Sequence, residues 1–292
     1  MSHSDGANGN AVAGDGKPPR VSVVVPAYNN AGFLAQTIES ILAQDYRDFE
    51  LILADHSSTD GTSEIISTYA TAPRVRALPP TPAGGGALAN WNRVSEHARG
   101  ELIKLVCGDD LLAPTALSEQ VAALDANPSA VLVASPRSLV DSTGKLILQR
   151  RGLSGLSGLI SGRVAARVAV RAGTNIFGEP ACVLFRRDIL LKEGGWDNRF
   201  PYLIDQATYT RIMLHGDLVA LPRVLASFRI SAGQWSVQLV KEQARQAREF
   251  HAALYSEYEN LLSWTDVMYG DAKATAMAYV RRFVYMLLRA RM

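Results

Sequence analysis

From residue 21 to residue 107 the chain alternates short aliphatic runs with segments of helical periodicity, and this alternation narrows the choice of fold sharply. Residues 21–25 (Val-Ser-Val-Val-Val) suit a parallel strand covered on both faces. Residues 26–30 break that run, after which Leu34, Ile38, Ile41 and Leu42 share one helical face. A second strand at 49–54 ends at Asp55, and the Ser57 to Gly61 stretch offers several caps for a helix carrying Ile65, Ile66 and Tyr69. Residues 74–78 make a short third strand, and a Pro/Gly loop at 79–86 precedes a helix at 87–98. Gly100 then opens the apolar run at 102–107. Such alternation specifies an α/β fold, a mostly parallel central sheet flanked by helices.

Ligands of these sheets bind outside the carboxyl ends of the strands, which is where Asn29, Asp55 and Asp109 fall. Gly108 turns the fourth strand outward into Asp109 and Asp110. Adjacent carboxylates repel each other. Either they meet a divalent cation such as Mg²⁺ or Mn²⁺ that carries an anionic ligand, or Asp110 caps the helix beginning near Pro114.

With 292 residues, 48% hydrophobic and 20% charged, the chain buries an ordinary globular core in one large domain or two modest ones. A net charge of +2 and the lack of a basic run in the body argue against nucleic acid as a partner. Cys107 and Cys182 lie in apolar stretches, read as buried thiols, and have no zinc-type spacing. Residues 1–19 lack an apolar stretch and read as a disordered leader rather than a secretory signal. No apolar run approaches the ~20 residues that span a bilayer, so the expected compartment is the cytoplasm.

Further along, a helix is expected at 116–125, a strand at 131–135, and a turn at 141–144 leading into 145–148. Residues 150–161 are Gly/Ser-rich and read as a mobile loop. A strand at 181–185 and a short helix at 190–196 follow, the latter closed by Gly194 and Gly195. Asp205 opens a helix through Leu214, residues 218–230 are strand-like around Pro222, and the chain is helical from Gln238 onward.

Five ordered motifs carry a family resemblance. They are residues 21–29 (Val-Ser-Val-Val-Val-Pro-Ala-Tyr-Asn), 51–62 around Asp55, and 100–110 ending in the Asp pair. The others are Gly178-Glu179-Pro180 with residues 183–187, and Gly194-Gly195-Trp196-Asp197 followed by Asp205. Together they resemble the family 2 glycosyltransferases, inverting enzymes of the GT-A fold that use nucleotide-diphosphate sugars. The resemblance spans about residues 21–230. It implies a glycosyltransferase domain at 20–230, with a nucleotide-sugar half at 20–110, an acceptor half at 111–230 and a helical extension at 231–292.

The resemblance also implies roles. Pro26, Ala27, Tyr28 and Asn29 would form the donor site, with the Tyr28 ring offering a flat face to the base unless it is a core aromatic. Asp55 would accept hydrogen bonds from base or ribose, or cap the following helix. Asp109 would contact the nucleotide sugar and Asp110 the metal, Mn²⁺ or Mg²⁺. Asp205 would be the catalytic base, or an N-cap. Glu179 is the rival base and, with Trp196, a candidate for the acceptor pocket, although Trp196 is equally a core residue. Two departures stand out: Cys107 and Ser231 occupy positions where relatives often carry Asp and His. Arg229 either pairs with diphosphate or ties down the domain edge. None of the histidines at 56, 97, 215 and 251 is assigned a role.

The donor expected from the family is most often a UDP-sugar, and the acceptor a glycan or lipid-linked glycan of cell-surface polysaccharide or glycolipid synthesis. A non-catalytic nucleotide-sugar-binding or scaffold protein on the same fold is the alternative. Residues 273–292 mix Lys273, Arg281, Arg282, Arg289 and Arg291 with apolar residues. That segment either lies in a membrane interface, placing the protein peripherally on the inner face, or packs on the catalytic domain or a partner subunit. The oligomeric state is open, a homo-oligomer included.

Overall fold

The computed structural model describes residues 17–81, 84–231 and 242–288. Most of the expected leader, and residues 289–292 of the basic tail, lie outside them.

Strand β1 (Val21–Ala27) and strand β2 (Phe49–Asp55) are buried at all seven positions each, the mostly aliphatic runs being interrupted by Ser22 and Glu50, whose side chains hydrogen-bond each other at 2.7 Å. They pair in parallel from Val21↔Phe49 to Ala27↔Asp55, which brings the ends of both strands to one edge. Helices α1 (Leu34–Leu42) and α2 (Thr62–Tyr69) follow them. β3 (Val75–Ala77) joins β2 in parallel, α3 (Gly86–Glu96) packs on β1 and β2, and β4 (Leu102–Leu105) pairs in parallel with β1. The strand–helix alternation is therefore realised element by element through residue 105.

The second half departs from simple alternation. β5 (Leu111–Leu112), α4 (Ala116–Asp125), β6 (Ala130–Ala134), β7 (Arg137–Val140), β8 (Leu146–Arg151) and β9 (Gly158–Ser161) follow in order. Then come α5 (Gly162–Ala172), a 3₁₀ turn at Pro180–Cys182, β10 (Val183–Arg186), α6 (Arg187–Lys192) and α7 (Ile204–Met213). β11 (Asp217–Ala220), β12 (Ala226–Arg229), α8 (Gln243–Glu257) and α9 (Trp264–Leu288) complete the described chain.

The main sheet has eight strands in the order β3-β2-β1-β4-β10-β6-β11-β9, with β10 antiparallel to both neighbours. A second, four-stranded sheet runs β5-β12-β7-β8. The strand-like stretch around Pro222 thus divides between two sheets: β11 belongs to the first and β12 to the second. The expected mobile loop at 150–161 begins within β8 and ends as β9, an edge strand paired with β11. The intervening α5 has no counterpart in the expectations. Its buried stripe is mostly alanine (Ala165, Ala166, Ala169), which gives little hydrophobic signal between its arginines.

The C-terminal helices are fastened to this body. Buried Asp266, at the start of α9, pairs with Arg167 (2.8 Å) and Arg171 (2.6 Å) of α5. A second apolar cluster including Val170, Leu203, Phe250, Leu254 and Ala274 joins α5, α7, α8 and α9. Burial of each large side chain there contributes roughly 1.5–3 kcal/mol. The far face of α9 leaves Tyr279, Phe283 and Met286 exposed. No helix among the described residues is long and apolar enough to cross a membrane.

Candidate active site

A cleft of about 1380 Å³ opens along the carboxyl ends of the central strands and continues to the C-terminal helices. Its first end is built by β1. Tyr28 is 58% exposed on the wall, which settles its alternative: it is no core aromatic. Its ring stands edge-on to His56, 6.5 Å between centroids. Asn29 adopts a left-handed φ of 50° and laces the ends of β1 and β2 together. Its N–H donates to Ser58 Oγ (2.9 Å), and its Oδ1 accepts from Thr59 N–H (2.9 Å). Pro26 lines the cleft beside them.

Ala27 and Asp55 are placed differently. Ala27 is fully buried and contributes its carbonyl, which accepts from His56 N–H and from Asn90 Nδ2, both at 3.1 Å. Asp55 is 5% exposed and does not line the cleft. Its carboxylate accepts from the Ser58 N–H at 3.3 Å and also from the Ser58 hydroxyl. The carboxylate therefore shapes the turn after β2 rather than capping α2, whose N-cap is Gly61.

His56, given no role from sequence, is a wall residue whose Nε2 lies 2.6 Å from Gly84 O and whose Nδ1 lies 3.3 Å from Thr81 Oγ1. Asn90 also lines the cleft. His56 arrives there by following Asp55 at the carboxyl end of β2, and Asn90 by the packing of α3 on β1.

The Asp pair divides. Asp109 lines the cleft. Asp110 is fully buried, accepts the Arg229 N–H on Oδ1 (3.2 Å), and leaves Oδ2 without a hydrogen-bond partner. Burial first, then the neighbouring Asp109 and Glu179 charges, push its carboxyl well above the usual carboxylate range. Of the two, Asp109 lines the cleft, while Asp110, expected to hold the metal, stands behind it with an unpartnered carboxylate oxygen. The turn that separates them carries Asp110 N–H to Cys107 O (3.1 Å) and needs Gly108, since a Cβ there would stand 2.6 Å from Asn30 Oδ1.

Cys107 lines the cleft, but burial and the nearby Asp110 and Asp109 push its thiol well above the usual range. The neutral thiol is no substitute for an acidic ligand. Arg229 is 1% exposed and settles its own alternatives in favour of the domain edge. Its guanidinium donates to Asp109 O (3.1 Å), Ser142 O (3.2 Å) and Gln36 Oε1 (2.9 Å), and lies 4.6 Å from the Phe33 ring centre.

At the second end, Glu179 and Asp205 line the same cleft. Asp205 sits in the first turn of α7, whose N-cap is Leu203, so the capping alternative fails. Its Oδ1 accepts from Gln206 N–H (2.7 Å) and its Oδ2 from Asn175 Nδ2 (2.8 Å). Burial pushes its carboxyl up to about 7; the Gln206 N–H opposes this, Glu179 adds to it, and Asn175 and Arg137 oppose it. Glu179 is committed to buried Arg137, whose Nη2 donates to Oε1 (2.7 Å) while Nε meets Oε2.

Trp196 is corrected outright. It is 4% exposed, packed edge-on among Trp91 (4.9 Å), Phe185 (5.8 Å) and Tyr209 (6.0 Å). Its indole N–H donates to Ser95 Oγ (2.9 Å), so the ring is core and meets no acceptor. The far wall comes instead from α9, through Met277, Val280, Arg281 and Val284.

Among the described residues, no group of three or more His, Cys, Asp or Glu side chains comes together as a metal site. Asp109 suits a hard cation that takes its remaining oxygens from a bound diphosphate.

Comparison with known proteins establishes the family and the fold. The glycosyl transferase family 2 profile matches residues 22–193, and the chain belongs to that family. It is a glycosyltransferase. The uncharacterized protein MT1568 of Mycobacterium tuberculosis is 32% identical over 221 residues, 73% of this chain and 68% of that protein. S. aureus TarS (residues 1–349), solved with UDP-GlcNAc, superposes with a TM-score of 0.66 at 18% identity, over 82% of this chain and 68% of that one. The mannosyltransferase PcManGT of Pyrobaculum calidifontis, solved with GDP-Man and Mn²⁺, gives 0.61 at 21% identity, over 90% and 70%. At these identities the superpositions establish the GT-A fold.

Proposed function

We propose that the chain moves a sugar from a nucleotide-diphosphate donor to a hydroxyl of a glycan or lipid-linked acceptor, with inversion, in cell-surface polysaccharide or glycolipid assembly. The observation that carries this reading is the placement of Asp109 and Asp205 on one cleft, with the exposed Tyr28 ring at its nucleotide end. The nucleobase lies against Pro26 and Tyr28, near His56. Asp109 faces the diphosphate and is the residue that would hold Mn²⁺ or Mg²⁺. Such a cation, when bound, neutralises charge on the departing diphosphate.

The transfer is a single displacement. The acceptor oxygen forms its bond to the anomeric carbon as the carbon–oxygen bond to the diphosphate breaks on the opposite face. Asp205 takes the hydroxyl proton, and the bonding electrons leave with the nucleoside diphosphate. A base held near neutrality is suited to that task, because a large share of it is deprotonated near pH 7 while it retains basicity. Glu179, tied to Arg137, is the weaker candidate for base and shapes the pocket beside Asp205.

Neighbours of this fold are solved with UDP-GlcNAc and with GDP-Man, which supports a nucleotide-sugar donor, with UDP as the first choice. Membrane contact through the exposed Tyr279, Phe283 and Met286 of α9 would bring the cleft to a lipid-linked acceptor.

Incubating wild type and Asp205→Asn with UDP-, dTDP- and GDP-sugars, Mn²⁺ and an envelope glycolipid extract tests the reading. The expected result is transfer with inverted anomeric configuration, lost in Asp205→Asn. A product of retained configuration, or turnover indifferent to Asp205→Asn, contradicts it. Donor binding without turnover returns the chain to a non-catalytic binding role.

A further inference from the structure

Resting on the reading of Asp205 as the base, we propose that Asn175 is a positioning residue that holds the Asp205 carboxylate in place against the acceptor. The amide is used at both ends. Its Oδ1 accepts from Phe177 N–H (3.0 Å) and Gly178 N–H (3.2 Å), folding the loop that leads to Glu179. Its Nδ2 donates to Gly178 O (2.9 Å) and to Asp205 Oδ2 (2.8 Å). With Oδ1 of Asp205 held by Gln206 N–H, both carboxylate oxygens are fixed, and each keeps a lone pair for an acceptor hydroxyl.

Asn175 is itself held, on a strap at residues 173–175 between α5 and that loop. Gly173 ends α5 at a φ of 64° and lies so close to the Lys273–Ala274 backbone that a Cβ would collide with it. Thr174 Oγ1 accepts from Arg281 Nη1 (3.1 Å), and Arg281 Nε donates to Gln243 Oε1 (2.6 Å). Helices α8 and α9, outside the family-matched residues 22–193, therefore clamp the strap that orients the base.

The groups facing Asp205 are Glu179 from the loop before the 3₁₀ turn, Arg137 at the start of β7, Cys107 after β4, and Tyr209 on α7. Asn175 supplies the neutral donor among them. An N–H to the ionised carboxylate favours that form, so its loss raises the proton affinity of Asp205.

The test is a ¹³C-carboxyl NMR titration of aspartate-labelled protein, with the Asp205 signal identified by its absence in Asp205→Asn. Nucleoside diphosphate release from the donor is followed across pH in parallel. In Asn175→Ala the Asp205 midpoint moves up by about one pH unit, and release at neutral pH falls about tenfold with donor KM unchanged. Release recovers in part as pH rises, which a merely structural loss does not do. Asn175→Asp keeps the acceptor that folds the loop but removes the donor. There, two carboxylates share a proton and the Asp205 titration again moves upward. A folded variant of either kind with the wild-type midpoint overturns the inference. Undiminished turnover in Asp205→Asn sinks the base reading instead, while leaving the titration result to stand by itself.

Discussion

Asp109 and Asp110 share a peptide bond but face different surroundings: Asp109, 8% exposed, lines the cleft, whereas Asp110 is wholly enclosed and accepts the Arg229 N–H at 3.2 Å. Removing each charge separates their roles. Asp109→Asn is expected to weaken metal-dependent nucleotide binding by at least about tenfold, the loss of a charge-assisted contact. Asp110→Asn leaves nucleotide affinity within a few fold and moves thermal stability instead. Calorimetric titration of nucleotide with and without Mn²⁺ on both variants decides between them.

Asp205 predicts opposite pH responses for rate and stability. Its carboxyl is pushed from 3.8 up to about 7, so turnover rises through an acid limb near pH 7 as the base loses its proton. The native state holds this proton more tightly than the unfolded chain. The stability contribution is therefore complete below about pH 4 and is lost as pH rises to about 7. Asp205→Asn is expected to cut turnover by about 10²–10⁴-fold while flattening that fall in melting temperature. A pH–rate profile and a pH series of melts check both.

Tyr28 has no packing role to lose, being 58% exposed. Tyr28→Ala therefore leaves the melting temperature unchanged and weakens the donor by about 1–3 kcal/mol, the usual worth of a base stacked on an aromatic ring. The effect appears in donor KM, with kcat nearly constant.

Arg281 links α9 to the strap beside the base through Thr174 and to α8 through Gln243. Arg281→Ala is expected to lower kcat by roughly two- to thirtyfold with donor KM unchanged, since coupling through such contacts spans about 0.5–2 kcal/mol. Steady-state kinetics with the donor varied separates the two parameters.

Sequence made the first half of this site legible because its strands are short, mostly aliphatic runs with polar residues at or just beyond their carboxyl ends. Tyr28, Asp109 and Asp205, named from sequence, all line one cleft. The family resemblance assigned the two members of the Asp pair separate roles, but their burial is decided by the turn through Cys107 and Gly108, which leaves Asp109 on the cleft and encloses Asp110. Trp196 followed a recognisable Gly-Gly-Trp-Asp motif, yet its burial depends on Trp91, Phe185 and Tyr209 from three distant segments. Helix α5 has a well-formed amphipathic period, but its buried face is mostly alanine set among arginines, so it was missed for want of strongly apolar residues. Asn175, three residues ahead of Gly178, had an Asx-type turn as its only local signal.

A thermal-shift panel of UDP, dTDP, GDP and CDP, each with and without Mn²⁺, tests the donor site most directly on wild type and Asp109→Asn. A ligand that binds the native state raises the melting temperature by mass action. The predicted result is a Mn²⁺-dependent rise with one nucleotide, foremost UDP, that disappears in Asp109→Asn. No rise with any nucleotide, or a rise that Asp109→Asn leaves intact, contradicts the account.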